Sequence, residues 1–167
     1  MESSEFLIRP ATESDRTFLA RMFYLTDVLG DETRRVSETF LKDRRNYVDF
    51  WTPDQGGLVA FSPAGVPAGA VWLRAGDNNR PRYGFIDTDI PELAIAVEKR
   101  YSGRGLATRL IREILDASHQ AGAPAVSLAV DEGNERARDL YLMLGFQVYE
   151  DRAALGTAAM IYRFPTS

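Results

Sequence analysis

Apolar and polar residues alternate along the chain with two periods, and these periods predict its secondary structure. Apolar residues at helical spacing predict four helices, at residues 12–29, 37–51, 105–121 and 134–144. Short apolar runs bounded by glycine, proline or polar turns predict seven strands, at residues 6–9, 58–61, 68–74, 93–98, 125–130, 146–149 and 158–164. A full helix between the fourth and fifth strands implies parallel pairing, whereas the hairpins imply antiparallel pairing. We therefore expect an α/β fold with a mixed sheet.

The helix predicted at residues 105–121 is strongly amphipathic and begins at a glycine-rich turn. The sequence G-R-G spans residues 103–105, and Arg100 precedes it. Backbone N–H groups, the helix dipole and two guanidinium groups would make this turn an anion site suited to a pyrophosphate. Glycines that serve turn geometry alone are the alternative, because short glycine motifs are weak evidence. The turn is neither a P-loop nor a dinucleotide fingerprint, since Thr108 stands where the fingerprint needs a third glycine.

The two strands that flank this helix each have one face of small side chains. On the earlier strand Glu92 shares its face with Ala94 and Ala96, and on the later strand Ser127 lies between two alanines. The bulky opposite faces can pack helices, and the small faces leave room for a ligand. A closely packed helix on the small side is the alternative.

Two segments together resemble the GCN5-related N-acetyltransferase (GNAT) superfamily. In ELAIAVEKRYSGRGLATRLIREIL, the R-x-x-G-x-G pattern is carried by Arg100, Gly103 and Gly105. In AVSLAVDEGNERARDLYLMLGF, the N-x-x-A-x-x-L-Y-x-x-x-G-F pattern is carried by Asn134, Ala137, Leu140, Tyr141, Gly145 and Phe146. The resemblance implies one GNAT domain over residues 1–167, with a mixed central sheet of six to seven strands, a β-α-β acetyl-CoA-binding core and about four helices.

The same resemblance implies an acetyl-CoA site around this central unit. The pyrophosphate would lie on residues 103–108, and the pantetheine arm would bond to the backbone of residues 95–97. The implied cosubstrate-binding residues are Ile95, Ala96, Val97, Arg100, Gly103, Arg104, Gly105, Leu106, Ala107, Thr108, Asn134 and Tyr141.

The resemblance also implies two catalytic residues. Glu92 would be the general base, acting through water, and Tyr141 would hydrogen-bond or protonate the leaving thiolate. The alternative for Glu92 is a solvated residue at a strand end. For Tyr141, spacing alone favours a core tyrosine. Asn134 is either a plain helix N-cap or a ligand of CoA or ordered water.

The resemblance thus implies an N-acetyltransferase that moves acetyl from acetyl-CoA to a primary amine by direct attack in a ternary complex. The acceptor would be a small-molecule amine or a peptide N-terminus, and no metal is expected, because the thioester is already activated and backbone N–H groups can bind the oxyanion. A CoA-binding sensor without catalysis is the alternative from another class. A fold that uses the glycine turn for NAD or ATP is a third.

Composition narrows the partners and the compartment. The 167 residues carry a net charge of −4 and an isoelectric point near 5.1, which argues against nucleic acid and anionic membranes. With 0 cysteines, the chain has no disulfide framework and no thiolate metal site. It has no apolar run long enough for a membrane span, and its first residues lack the basic and apolar regions of a secretory leader. We therefore expect a cytoplasmic protein. A homodimer is left open.

Overall fold

A computed structural model describes residues 3–77 and 83–166 of the chain. Its strands are β1 Leu7–Pro10, β2 Gly57–Phe61, β3 Pro67–Arg74, β4 Glu92–Val97, β5 Ala125–Asp131, β6 Gln147–Arg152 and β7 Thr157–Arg163. Its α-helices are α1 Arg16–Asp27, α2 Phe40–Arg44, α3 Leu106–Gln120 and α4 Glu135–Leu144, and a π-helical turn over Arg45–Asp49 continues α2. Within those described ranges, the predicted elements are confirmed in kind and in order.

The seven strands form one mixed sheet in the order β1-β2-β3-β4-β5-β7-β6. The pairs β1–β2, β2–β3, β5–β7 and β6–β7 are antiparallel. Strands β4 and β5 pair in parallel, with Glu92 opposite Ser127. Helix α3 connects them, because a parallel pair needs a long crossover and cannot be joined by a tight turn. The α/β fold with a mixed sheet is therefore confirmed.

Contacts within the chain group into two compact units, which are described separately below. The first comprises Met1–Leu73 and Ala94–Ile114, and the second comprises Arg74–Leu93 and Leu115–Ser167. Over the part of the chain that the structure describes, no helix is both long enough and apolar enough to cross a membrane.

Aromatic side chains fill the core of the first unit. Trp51 and Trp72 are fully buried, and the Trp72 indole N–H donates to the backbone oxygen of Tyr47 over 2.9 Å. The ring of Phe23 stacks on the rings of both Phe40 and Tyr47. This packing joins α1, α2 and the π-helical turn to β3.

Buried apolar residues of β5 and β7 form much of the core of the second unit, and the end of α4 packs beside β7. Gly145 ends α4 at a φ of +108°, and a Cβ built there would lie 2.9 Å from the ring of Tyr162. Buried Phe146 follows it, with its ring centroid 6.0 Å from that of Tyr141 and 5.6 Å from that of Tyr162. The close packing at the end of α4 therefore fixes the position of Tyr141.

Candidate functional site

The turn between β4 and α3, in the first unit, is anchored by a buried aromatic ring. A 3-10 turn at Lys99–Tyr101 follows β4, and its Tyr101 packs edge-on against Phe6 with ring centroids 5.4 Å apart. The exposed guanidinium of Arg100 lies over the Tyr101 ring, 4.9 Å from its centroid. The anchored turn thus presents a basic side chain beside the start of α3.

Both glycines of the turn adopt backbone angles that L-residues avoid. The φ angle is +75° at Gly103 and +78° at Gly105. A Cβ built on Gly103 would meet no described atom within 4 Å. Glycine is therefore required here by the left-handed backbone and not by close packing, and the space beside it is open to a ligand.

The first turn of α3 presents backbone N–H groups that the protein leaves unbonded. The helical ladder begins with Arg109 N–H donating to the Gly105 oxygen over 3.1 Å. The N–H groups of Leu106, Ala107 and Thr108 precede that bond, and none of them has an acceptor among the described residues. With the helix dipole and the partly exposed Arg104, they fit a diphosphate group.

Strand β4 leads into this turn along a half-buried stretch of backbone. Residues Ile95, Ala96 and Val97, predicted to hold the pantetheine arm, are all partly exposed. Strand β3 packs closely on them, since a Cβ built on Gly69 would lie 3.0 Å from the Ala96 oxygen. The Glu98 N–H donates to the Ala68 oxygen over 2.8 Å, which fixes the end of β4 against β3.

In the second unit, Glu92 is buried in an ion pair with Arg74. Their side chains are 2% and 6% exposed, and Arg74 Nε donates to Glu92 Oε1 over 2.9 Å. Glu92 is therefore not a solvated strand-end residue, and that alternative is wrong. Sequence reasoning missed Arg74, although an arginine at the end of an apolar strand was a visible signal that a buried carboxylate pairs with it.

The segment over Glu92 is packed tightly against it. A Cβ built on Gly84 would lie 2.8 Å from Glu92 Oε2 and 2.7 Å from the Leu128 carbonyl carbon. Arg152 Nη1 donates to the backbone oxygens of Tyr83 and Phe85, over 3.0 and 2.6 Å. A side chain from β6 therefore fastens the segment that covers the carboxylate.

Tyr141 lies on α4, half-buried, in the same unit as Glu92. Burial and, to a smaller degree, the negative charge of Asp131 raise the pKa of the Tyr141 phenol to about 12. Asn134 caps α4, and its side-chain oxygen accepts from the Ala137 N–H over 3.4 Å. The cap interpretation of Asn134 is confirmed, and Tyr141 remains a neutral hydrogen-bond donor throughout the physiological pH range.

In the described ranges, no group of three or more His, Cys, Asp or Glu side chains is arranged to hold a metal ion.

Known proteins match this chain over most of its length. The sequence model of the acetyltransferase (GNAT) family matches residues 23–146. N-alpha-acetyltransferase MAK3 of Arabidopsis thaliana is 27% identical over 135 residues, which are 80% of this chain and 66% of that protein. This chain thus spans just under two thirds of that relative's length.

Solved structures share the fold. A GCN5-related N-acetyltransferase from Kribbella flavida is 22% identical with a TM-score of 0.68, over 96% of this chain and 99% of that chain. The yncA protein of Salmonella typhimurium, solved with its cofactor acetyl-CoA, is 19% identical with a TM-score of 0.68, over 98% of this chain and 96% of that chain. The chain therefore belongs to the acetyltransferase (GNAT) family, the N-acetyltransferases that take acetyl-CoA as cosubstrate.

Proposed function

We propose that this chain transfers an acetyl group from acetyl-CoA to an α-amino group, by direct attack in a ternary complex. The observation that carries the proposal is the row of unbonded N–H groups at Leu106, Ala107 and Thr108, which follows two glycines with left-handed backbone angles. The family supplies the reaction class, and the residues of each unit supply the reasons for the finer assignment.

The cosubstrate would be held by the first unit. The N–H groups at residues 103–108 would bind its diphosphate with Arg100 and Arg104, and the backbone of residues 95–97 would bind the pantetheine arm. When bound, acetyl-CoA supplies an activated thioester. The chain's own residues then have to orient the acceptor amine and manage its proton.

The acceptor amine has to lose its proton near an enclosed carboxylate. The Arg74 guanidinium holds one oxygen of Glu92 and both side chains are buried, so the fraction of the acceptor that is already neutral matters for the rate. An alkyl amine with a pKa near 10.4 is neutral in only about one part in 10³ at pH 7. An α-amine, with a pKa of about 7.7–8.0, is neutral in roughly one part in ten. The α-amine therefore depends far less than the alkyl amine on proton removal by Glu92.

The name of the Arabidopsis relative, an N-alpha-acetyltransferase, supports the same acceptor class. Peptides and amino-acid-like small molecules both carry such an amine and present the same ammonium chemistry. The proposed acceptor class is therefore the α-amino group, whichever molecule carries it.

Tyr141 would serve the leaving group. Its phenol, with a pKa raised to about 12, is less acidic than a thiol of pKa about 8.5, so complete proton transfer to the thiolate is uphill. Tyr141 would instead donate a hydrogen bond to the developing thiolate charge. Tyr141→Phe should lower kcat while leaving acetyl-CoA affinity intact, and Tyr149→Phe at an exposed position of β6 is the matched control.

Two peptides of one sequence test the acceptor class. One has a free α-amine and an acetylated lysine, and the other has a blocked α-amine and a free lysine. We expect CoA release and acetylated product, measured by mass spectrometry, with the first peptide and far less with the second. Equal or faster acetylation of the lysine peptide would overturn the α-amine assignment.

A CoA-binding module without catalysis is the second candidate, and the observation that favours it is the burial of Glu92 in its ion pair. Tight binding of acetyl-CoA without CoA release on any amine, peptide or small molecule, would favour it. Glu92→Gln, checked for folding by circular dichroism, separates the two candidates as well: it should slow acetyl transfer by an enzyme, and in a binding module it should leave the Kd for acetyl-CoA unchanged.

A further inference from the structure

We propose that Ser127 is a positioning residue for deprotonation of the acceptor amine, and that its hydroxyl holds a water molecule through which the proton reaches Glu92. The proposal rests on the proposed function and deepens it, because it assigns a route for the amine proton. Ser127, on β5, belongs to the second unit, as do Glu92 and Arg74.

The sheet register brings Ser127 beside Glu92. The two residues are directly opposite in the parallel pair of β4 and β5, and the Ser127 N–H donates to the Pro91 oxygen over 2.9 Å. Neighbouring strands lie about 4.8 Å apart, and directly opposed residues point to the same face of a sheet. The Ser127 hydroxyl and the Glu92 side chain therefore leave adjacent strands on one face.

The Ser127 hydroxyl has a hydrogen-bonding capacity that the protein does not use. The residue is 0% exposed, and its Oγ has no hydrogen-bond partner among the described residues. Burying a hydroxyl without a partner is unfavourable, and such groups in native proteins are usually satisfied by ordered water. Alanine occupies the neighbouring positions of the same strand face, Ala125 and Ala129, so an apolar residue of similar size would be compatible with this surface.

The surroundings of Glu92 explain why a water is needed. Arg74 holds one carboxylate oxygen, and the backbone at Gly84 packs against the other side of the carboxylate. Arg152 fastens that backbone through the oxygens of Tyr83 and Phe85. Because the Glu92 side chain is enclosed in this way, it cannot swing out to meet an acceptor, and the proton has to be carried to it.

The proton step balances without any further reactant. The N–H bond of the acceptor ammonium breaks, its electron pair stays on nitrogen, and the water accepts that proton while passing one of its own to a Glu92 oxygen. Glu92 becomes a neutral carboxylic acid and later returns the proton to solvent. The Ser127 hydroxyl bonds to the water throughout and is chemically unchanged.

Two charged groups among the described residues face this step. They are Arg74 from β3 and, through the 83–85 backbone, Arg152 from β6. Strand β7 places the apolar Ile161 opposite Ser127.

Ser127→Ala tests the role, and Thr157→Val is its matched control. Thr157, on β7, also has a buried hydroxyl without a partner among the described residues, but it lies opposite Asp131 and not opposite Ser127. At pH 7 we expect Ser127→Ala to lower kcat for an α-amine peptide by roughly tenfold or more, with an unchanged Kd for acetyl-CoA. Thr157→Val should behave as the wild type. Circular dichroism and urea unfolding check that both variants fold.

The pH profile separates this role from a structural one. The defect of Ser127→Ala should shrink as the pH rises past the acceptor's own pKa near 8, because the amine then arrives already neutral. A defect that is constant with pH, no defect at any pH, or a loss that follows acetyl-CoA affinity would overturn the role of Ser127 and leave the proposed function standing. A wild-type chain that acetylates no amine would overturn both.

Discussion

Replacing Arg74 with methionine should destabilise the protein by about 3–5 kcal/mol. The pair it forms with Glu92 is almost completely buried, with side chains 6% and 2% exposed and a 2.9 Å bond between them. Methionine removes the guanidinium and leaves the Glu92 carboxylate charged in a site that is almost closed to bulk solvent. Breaking a buried pair from one side typically costs this much, because the remaining buried charge loses the opposite charge that it is bonded to.

Removing both charges should restore most of that loss. Buried ion pairs replaced by apolar groups of similar volume are often neutral or stabilising, so Arg74→Met combined with Glu92→Met should lie within about 1 kcal/mol of the wild type. Glu150→Gln is the control for an exposed pair. Glu150 bonds to Arg152 over 2.8 Å, but its side chain is 57% exposed, and its loss should change stability by less than about 0.5 kcal/mol.

Equilibrium urea unfolding followed by circular dichroism measures five proteins on one scale: the wild type, Arg74→Met, Glu92→Met, the double variant and Glu150→Gln. A loss below about 1 kcal/mol for Arg74→Met would refute the reasoning. So would a double variant whose loss is the sum of its two single variants, because additivity would mean that the two side chains are not energetically coupled.

Three further predictions follow from single residues. Gly103→Ala should weaken acetyl-CoA binding, measured by calorimetry, by about tenfold, because alanine strains the left-handed backbone of the proposed diphosphate turn by about 1–2 kcal/mol. Gly133 has a φ of +83° and equally open space, so Gly133→Ala should leave the Kd unchanged. Equal losses of affinity in the two variants would exclude the turn as the site. The pKa of Tyr141 is about 12 in the folded protein and about 10 in the unfolded chain, so the folded state holds the phenol proton more tightly. The free energy of unfolding should therefore be unaffected by this group below pH 10 and fall by roughly 2–3 kcal/mol as the pH rises from 10 through 12. Tyr141→Phe should remove this alkaline loss, and an unchanged pH curve would contradict the burial. Gly145→Ala should lower the free energy of unfolding by about 2–3 kcal/mol, because the left-handed φ and the contact with Tyr162 both oppose a Cβ; an unchanged Tm would refute it.

Secondary structure and the glycine turn before α3 could be predicted because their signals are local. The strand that ends before Arg100, the two glycines and the amphipathic helix lie within about two dozen residues, and helix geometry alone then directs the N–H groups outward. The second helix was predicted less well. The sequence predicts a helix over residues 37–51, whereas the structure has α2 from Phe40 and a π-helical turn that ends at Asp49. The many aromatic residues of this stretch indicate that it is buried, but they do not define where a helix begins and ends.

The environment of Glu92 could not be predicted, because it depends on register between distant segments. Arg74 and Glu92 lie 18 positions apart in the sequence. The arginine signals a carboxylate partner, but nothing in either strand alone shows that the partner is Glu92. The cover at Gly84 and its attachment to Arg152 involve a third segment, from β6. Alternation along β4 did predict which face Glu92 occupies, but whether that face is solvated or enclosed is decided by tertiary packing.

The most direct test of this account follows the backbone amides of residues 103–108 by ¹H–¹⁵N NMR while acetyl-CoA is added. We predict that the amide signals of Leu106, Ala107 and Thr108 shift together and saturate at the Kd measured by calorimetry, and that the signal of Gly133 stays in place. If acetyl-CoA binds by calorimetry while these three amides do not respond, the diphosphate is bound elsewhere and the assignment of the site is wrong.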